Sequence, residues 1–162
     1  MELPQRKEHR LAGYDYSSPG GYFITICTKD KRNLFWASNQ LVNDYPILTP
    51  TGKIVLRCIQ SIPILHPDIQ LSLFNIMPNH IHLILEIHAP KATSIRHIIG
   101  QMKRSASMQA GFPIWQRNYY DHIIRNDVEY QNVWRYVENN HWKWREDCYP
   151  PPDDESLPFP HP

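Results

Sequence analysis

Two histidines near the middle of the chain have the type and spacing of metal ligands. His80 and His82 flank Ile81 in the stretch NHIHLILEI, which is otherwise typical of a buried strand. Successive side chains of a strand alternate between its two faces, so both imidazoles lie on the same face. Burying an imidazole without a partner costs free energy, and imidazole is also a common ligand of metal ions. The pair therefore predicts either two hydrogen-bonded polar side chains or two ligands of one ion.

A tyrosine near the C-terminus is out of step with the apolar residues around it. Apolar and aromatic side chains recur at helical spacing at Tyr130, Val133, Trp134, Val137 and His141. Tyr136 lies roughly 120° from the centre of that stripe, on a polar flank with Asn132 and Asn140 one turn away on either side. The pattern leaves two interpretations open: a surface tyrosine packed over its neighbours, or a tyrosine presented for chemistry beside Asn140.

The elements that position these residues are predicted from periodicity and capping signals. Runs of β-branched and aromatic residues predict strands at 22–28, 69–77 and 81–87, the last two joined by a turn at Pro78-Asn79. Helical spacing predicts helices at 49–62, 93–109 and about 127–142. Thr49 with Pro50 begins the first helix, and Asn126 with Glu129 begins the last. Residues 34–44 are predicted to form either a hairpin or an irregular excursion between the first strand and the first helix.

This order of elements predicts the α+β class. A strand, a helix, two strands and a helix, followed by one more helix, fit a ferredoxin-like antiparallel sheet with helices on one face. The added C-terminal helix carries Tyr136. We expect one domain at residues 1–148 and a disordered, proline-rich acidic tail at 149–162.

Composition excludes several classes of protein. The three cysteines, Cys27, Cys58 and Cys148, are odd in number and form no CxxC pair, which argues against a disulfide framework or a zinc ribbon. No apolar run approaches the roughly 18 residues of a membrane span, and the polar start is no signal peptide. The net charge is +1, but the last twelve residues hold three acids and no Lys or Arg. The rest of the chain is mildly basic, which permits a phosphate-containing partner without requiring one.

Three segments in order resemble the single-tyrosine HUH transposases, and more closely the REP-associated tyrosine transposases. They are IMPNHIHLIL, WQRNYYDHIIRN and YVENN, and the similarity extends over about residues 10–145. The resemblance implies that His80 and His82 bind the metal, that Tyr136 is the DNA nucleophile and that Asn140 completes the metal site. Relatives commonly have Asn-Asn-Pro after the tyrosine, whereas this chain has Asn-Asn-His at 139–141, which leaves open whether His141 replaces Asn140 as the third ligand.

The implied reaction is metal-dependent cleavage and rejoining of single-stranded DNA at hairpin-associated sites, through a covalent 5′-phosphotyrosine. The implied cation is Mg²⁺ or Mn²⁺, and the implied partner is single-stranded DNA with a hairpin, in the cytoplasm and associated with the nucleoid. Relatives include dimers that exchange the tyrosine helix and forms that act alone, so a homodimer and a monomer are both open. The alternatives are a non-catalytic, sequence-specific DNA-binding module derived from such a transposase, and a metal-dependent phosphohydrolase in which water attacks.

Other residues are candidates for supporting roles. Cationic and aromatic side chains that could contact DNA phosphates or bases are Arg10, Tyr14, Tyr16, Lys103, Arg104, Arg117 and Arg125. Glu86 and His122 could hold a metal ligand through a hydrogen bond. For each of these residues, ordinary packing or solvation is the alternative interpretation.

Overall fold

The computed structural model describes residues 11–90 and 92–146, and it has ten principal elements. In chain order they are β1 (Gly20–Cys27), β2 (Trp36–Val42), β3 (Tyr45–Leu48), α1 (Pro50–Gln60), α2 (Ile62–Leu65), β4 (Ile69–Ile76), β5 (His80–Ile87), α3 (Ile95–Ala110), β6 (Tyr120–Ile124) and α4 (Asp127–Glu146). Four strands form an antiparallel sheet in the order β4-β5-β1-β6, and β2 pairs with β3 in a separate hairpin. The predicted α+β class and ferredoxin-like sheet are confirmed. None of the described helices is long and apolar enough to cross a membrane.

The helices begin where the polar caps of the sequence place them. The Thr49 hydroxyl accepts a hydrogen bond from the Gly52 amide, and Pro50 occupies the first turn of α1. The Asn126 side chain accepts from the Glu129 amide at 2.8 Å, as its position predicts. The Glu129 carboxylate does not return to Asn126; it accepts from the Arg125 amide instead, at 2.6 Å. Both predicted helix starts are therefore confirmed, and α4 has a different second contact.

The sheet is covered on both faces. One face, which we call the two-helix face, packs under α1 and α3 through residues such as Ile24, Ile81 and Leu83, all fully buried. The other, the one-helix face, packs under α4, where Phe23 and Ile84 meet Val133 and Val137. Since side chains alternate along a strand, neighbouring residues of β1 and β5 contribute to opposite faces. The added C-terminal helix thus lies across the sheet from the other two.

Two elements differ from the sequence-based prediction. The strand β6 was not predicted: it is five residues long, pairs with β1 alone and starts within a run of mixed aromatic and polar residues. Helix α4 continues to Glu146, four residues beyond the predicted end. Its buried side chains are Val133, Val137, Asn140 and Trp144. The predicted stripe contained Tyr130, Trp134 and His141 in place of Asn140 and Trp144. Periodicity alone does not anticipate that a carboxamide is buried here.

Candidate active site

His82 lies in a row of side chains that crosses the one-helix face. The strand register places it opposite Thr25 of β1 on one side and Asn75 of β4 on the other. The His82 side chain is buried, with the Thr25 hydroxyl 2.9 Å from its Nδ1. Asn75 donates to the carbonyl of Val137 at 2.9 Å, which ties α4 to the sheet at this row. The imidazole is therefore held by Thr25 of β1, while Asn75 of β4 holds α4 beside it.

His80 is held by the residue that precedes it. The Nδ1 atom of His80 lies 2.7 Å from Oδ1 of Asn79, whose Nδ2 donates to the Lys31 carbonyl at 3.3 Å. That second bond fixes the orientation of the carboxamide, so the atom facing His80 is an acceptor. Nδ1 of His80 therefore carries the proton, and its Nε2 presents a lone pair.

The two Nε2 atoms face each other 3.1 Å apart. Because Nε2 of His80 accepts, His82 donates from Nε2 to His80, and the Thr25 hydroxyl donates to Nδ1 of His82. The same hydroxyl can instead accept from Nδ1, which leaves a lone pair on each of the two Nε2 atoms, 3.1 Å apart. The arrangement therefore satisfies both imidazoles by hydrogen bonds, and a change of the His82 tautomer would make both Nε2 atoms available as ligands.

Burial keeps both imidazoles neutral. Desolvation lowers the pKa of His80 to about 4, with a smaller contribution from the positive charge of Lys31. Desolvation, followed by the neighbouring His80, also lowers the pKa of His82 well below its ordinary value. Neutral imidazole is the form that binds metal ions, so both ligands are in the required state at neutral pH without loss of a proton.

Tyr136 packs directly on this pair from α4. Its ring lies 5.3 Å from the His82 ring, at an interplanar angle of 68°, and 6.0 Å from the ring of Phe23. The side chain is half-buried rather than presented on a polar flank, because α4 lies with this side against β1 and β5. The predicted nucleophile and the predicted metal ligands are thus brought together within one chain.

Asn140 lies on α4 between two aromatic residues that pack near the histidines. It lies one turn after Tyr136, which contacts His82, and one turn before Trp144, whose ring is 6.1 Å from that of His80. Its side chain is buried although it is polar. His141 lies on the adjacent side of the helix, where its Nδ1 is 3.4 Å from Nδ2 of Asn75. Asn140 thus lies on the side of α4 that carries Tyr136 and Trp144, whereas His141 faces Asn75.

The donor set fits a divalent cation. Two ligand nitrogens at right angles, each about 2.1 Å from an ion, are about 3.0 Å apart, close to the 3.1 Å between the two Nε2 atoms. Among the described residues no group of three His, Cys, Asp or Glu side chains is placed to hold a metal ion. A cation at the histidine pair therefore needs an oxygen ligand of another kind, such as the carboxamide of Asn140 or a phosphate.

The structure does not bring Glu86 or His122 to the histidine pair. Glu86 lies four residues after His82, about 13 Å along the strand, where it accepts from the hydroxyls of Ser72 and Tyr130 at 2.6 Å each. Burial acts to raise its pKa, but these hydrogen bonds outweigh burial and lower it. His122 lies on β6, two strands from β5, with its Nε2 atom 2.6 Å from Glu129. The residues that contact the imidazoles through Nδ1 are Asn79 and Thr25, in place of Glu86 and His122.

The predicted DNA contacts are scattered. Tyr14 and Tyr16 pack edge-to-face, 5.2 Å apart, against the core of the two-helix face, on the opposite side of the sheet from Tyr136. Lys103 donates to the carbonyls of Gln116 and Arg117 at 2.7 and 3.1 Å, so it fixes a loop. The remaining described candidates are exposed, namely Arg104, Arg117 and Arg125. Arg10 lies outside the described residues.

Thr25, Asn75, Asn79 and Trp144 were missed by sequence reasoning. Asn79 is adjacent to His80, so its local position could have signalled a ligand partner. Thr25 and Asn75 reach His82 only through strand register, which cannot be read from local sequence. Trp144 lies beyond the predicted end of its helix.

Comparison with known proteins relates both the fold and the sequence to other chains. A solved structure of a REP-associated tyrosine transposase bound to a REP hairpin aligns with a TM-score of 0.64 and 19 % identity, covering 80 % of this chain and 71 % of that one. A structure from Deinococcus radiodurans R1, provisionally described as a transposase, aligns more loosely, with a TM-score of 0.48 and 17 % identity over 82 % of this chain and 97 % of that one. No protein-family model matches.

The fold is therefore that of a REP-associated tyrosine transposase, and the predicted resemblance is confirmed at that level. A curated protein of Haemophilus influenzae, described as uncharacterized, is 36 % identical over 170 aligned positions that cover 90 % of this chain and 93 % of its own length. The chain belongs to the same family as that protein.

Proposed function

We propose that this protein is a transposase-type enzyme that cleaves and rejoins single-stranded DNA through a covalent bond to Tyr136. The observation that carries the proposal is the direct packing of the Tyr136 ring on His82, whose Nε2 atom faces that of His80. A phenol beside two convergent, neutral imidazoles is the set of groups that phosphotyrosine chemistry requires. The fold, shared with a transposase bound to a REP hairpin, supports the same class of reaction.

Tyr136 supplies the nucleophile. Its phenolic oxygen attacks the scissile phosphorus, the bond from phosphorus to the 3′ oxygen breaks, and the departing oxygen takes up a proton in place of the one that the phenol releases. The products are a 5′-phosphotyrosine and a free 3′-hydroxyl. Because the phosphodiester energy is retained in the covalent bond, a second 3′-hydroxyl can reverse the step and join a new strand.

His80, His82 and Asn140 would hold the cation. A bound Mg²⁺ or Mn²⁺ would supply positive charge to the phosphate oxygens and stabilise the charge that develops in the transition state. Asn79 and Thr25 orient the two rings through Nδ1, so that both Nε2 atoms are available. Trp144 packs beside His80 on the side of α4, with the two ring centroids 6.1 Å apart.

The proposed substrate is single-stranded DNA beside a hairpin. The transposase of the same fold is bound to a REP hairpin, and a folded-back strand would offer an unpaired phosphodiester next to a duplex stem. Tyr136 and both histidines belong to one chain, and α4 packs over its own sheet through Val133 and Val137. We therefore propose that a monomer holds a complete site and that the tyrosine acts in cis.

The test is formation of a denaturation-resistant adduct. Labelled single-stranded hairpins from the flanks of the gene are incubated with protein and Mn²⁺ or Mg²⁺, and the products are separated under denaturing conditions. Tyr136→Phe should form no adduct. Tyr130→Phe is the matched control on the same helix, since its hydroxyl contacts Glu86 rather than the histidine pair, and it should form the adduct like the wild type.

The other outcomes identify the alternatives. Cutting by both the wild type and Tyr136→Phe, with no adduct, would replace the proposal with a metal-dependent phosphohydrolase. Tight binding of several hairpins without cutting would indicate a DNA-binding module.

A further inference from the structure

The loop that follows β1 is fixed against the residue that holds His80. The Thr28 amide and hydroxyl both donate to the Asn79 carbonyl, at 2.9 and 3.1 Å. The Asn79 side chain in turn donates to the Lys31 carbonyl at 3.3 Å. The same carboxamide binds Nδ1 of His80 at 2.7 Å. Lys31 is therefore joined to the histidine pair through a single intervening residue.

The backbone of this loop is in a costly conformation. Asp30 and Lys31 have φ angles of 57° and 51°, in the left-handed region. A lysine rarely adopts this region, since its Cβ crowds the backbone there, and such conformations persist only where the surrounding contacts enforce them. Hydrogen bonds from Thr28 to the Arg32 carbonyl, and from the Lys31 amide to the Thr28 carbonyl, enforce it here. The fold therefore sets the direction in which this lysine leaves the chain.

The Lys31 side chain is exposed, and its charge acts on the site. The ammonium contributes to lowering the pKa of His80, after burial. It also opposes the rise that burial causes in the pKa of Cys27, which is paired with His80 across the strands. The hydrogen bond from the Asn79 side chain to the Lys31 carbonyl places this lysine on the part of the loop nearest His80. The exposed ammonium of Lys31 can therefore form an ion pair with an anion that is bound at the histidine pair.

We propose that Lys31 binds a phosphodiester oxygen of the DNA strand next to the scissile phosphate, and so positions the strand for Tyr136. The inference rests on the proposed function, because it assumes a DNA strand at the histidine pair. Lysine is suited to the role as a compact, strongly hydrated charge that meets a phosphate without demanding one bidentate geometry. Lys103 is less suited to this role, since its ammonium already donates to the carbonyls of Gln116 and Arg117.

The experiment measures equilibrium binding of a labelled single-stranded hairpin in the Tyr136→Phe background, without divalent cation, over a series of salt concentrations. Lys31→Asn removes the charge and retains a residue that tolerates the left-handed region. Lys31→Arg keeps the charge. Lys29→Gln is the matched control, since Lys29 lies in the same turn and is exposed. Thermal unfolding of each variant verifies that the substitution in the turn does not disturb the fold.

Lys31→Asn should weaken binding and reduce the slope of log K against log salt by about 0.7, the value for one phosphate contact on a single strand. Lys31→Arg should retain most of the slope, and Lys29→Gln all of it. Neutral methylphosphonates placed one at a time along the strand should weaken wild-type binding at one or two positions and cause no further loss there in Lys31→Asn. Equal slopes for Lys31→Asn and Lys29→Gln would overturn the inference.

Failure of the inference is distinguishable from failure of the proposed function. An adduct at Tyr136 together with an unchanged Lys31→Asn slope removes only the lysine contact. A reduced slope without any adduct retains the lysine contact and removes the reaction.

Discussion

The two faces of the central sheet are built from alternate residues of the same strands, yet they differ in chemistry. On the two-helix face, Ile24, Ile81 and Leu83 are fully buried among other apolar side chains. On the one-helix face, Phe23 and Ile84 are just as apolar, but the next row toward the start of β5 holds Thr25 and His82. The first face supplies hydrophobic stabilisation alone. The second combines apolar residues that anchor α4 with a polar end at which the proposed reactive groups meet.

The difference shows how hydrogen bonds offset the free-energy cost of burying a row of polar side chains. Buried polar atoms are costly unless hydrogen-bonded, and the row that contains His82 is bonded along its length. Thr25 faces Nδ1 of His82, the other ring nitrogen faces His80, and Asn75 binds the Val137 carbonyl. Every one of these bonds also fixes a ring or a helix that the proposed reaction uses. Stability and function therefore depend on the same few contacts at this end of the sheet, whereas they are separate on the two-helix face.

The largest effect is expected on removing an imidazole from the polar end. His82→Ala should reduce Mn²⁺ binding, measured by electron paramagnetic resonance, by at least about 100-fold, and adduct formation should fall below detection, since a bound metal contributes several kcal/mol to such reactions. His66→Ala is the control, because that half-exposed histidine bonds to Gln101 near the other helices. Equal Mn²⁺ binding by the two variants would show that the pair is structural.

A substitution on the two-helix face should affect stability instead. Leu83→Ala removes a fully buried side chain adjacent to His82 in sequence but on the opposite face. We expect the free energy of unfolding, measured in urea, to fall by about 2 to 5 kcal/mol, while the folded protein retains its Mn²⁺ affinity. A large loss of Mn²⁺ affinity in folded Leu83→Ala would contradict the separation of the two faces.

Removing the hydroxyl behind His82 should have an intermediate effect. Thr25→Val keeps the shape but loses the group that lets Nδ1 of His82 either donate or accept. We expect Mn²⁺ affinity to fall by about 10- to 100-fold, as is usual for outer partners of a metal ligand, and the ¹⁵N shifts of the His82 ring to report a changed tautomer. Thr25→Ser, which retains the hydroxyl, should restore both. If Thr25→Ser matched Thr25→Val in these two measurements, the hydroxyl would have no positioning role.

The smallest expected effect is a dependence of stability on pH in the metal-free protein. The unfolded chain protonates its histidines near pH 6.5, whereas burial lowers the pKa of folded His80 to about 4. The unfolded state therefore binds more protons as the pH falls through this window, and stability is lost. Between pH 7 and 4.5, wild type should lose about 1 to 2 kcal/mol more than His80→Gln in urea unfolding with chelator present. Identical losses would show that His80 does not carry this linkage.

Local signals in the sequence predicted most of the fold. The alternation of β5, the caps Thr49 and Asn126, and the apolar stripe of α3 each depend on neighbours within a few residues, and each is observed. The strand β6 was not predicted because its pairing with β1 is long-range and its own five residues are mixed in character. Its place in the sheet depends on contacts that no local pattern encodes.

The residues of the candidate site were predictable from the sequence, but the residues that hold them in place were not. His80, His82, Tyr136 and Asn140 were identified from spacing and from the family resemblance. The polar flank predicted for Tyr136 differs from the half-buried position observed, because helical periodicity does not define which side of α4 the sheet occupies. Thr25 and Asn75 were missed, since each reaches His82 across a strand pair that joins distant parts of the chain.

The most direct measurement is to locate the covalent bond by mass spectrometry. The adduct formed with a hairpin DNA is trimmed by nuclease and digested with trypsin, which releases residues 136–143 as a peptide whose single tyrosine is Tyr136, and residues 126–135 as a peptide that contains Tyr130. We expect the nucleotide mass on the peptide 136–143 and on no other. Nucleotide mass on the Tyr130 peptide, or its absence from every tyrosine, would contradict the assignment of the one-helix face as the catalytic centre.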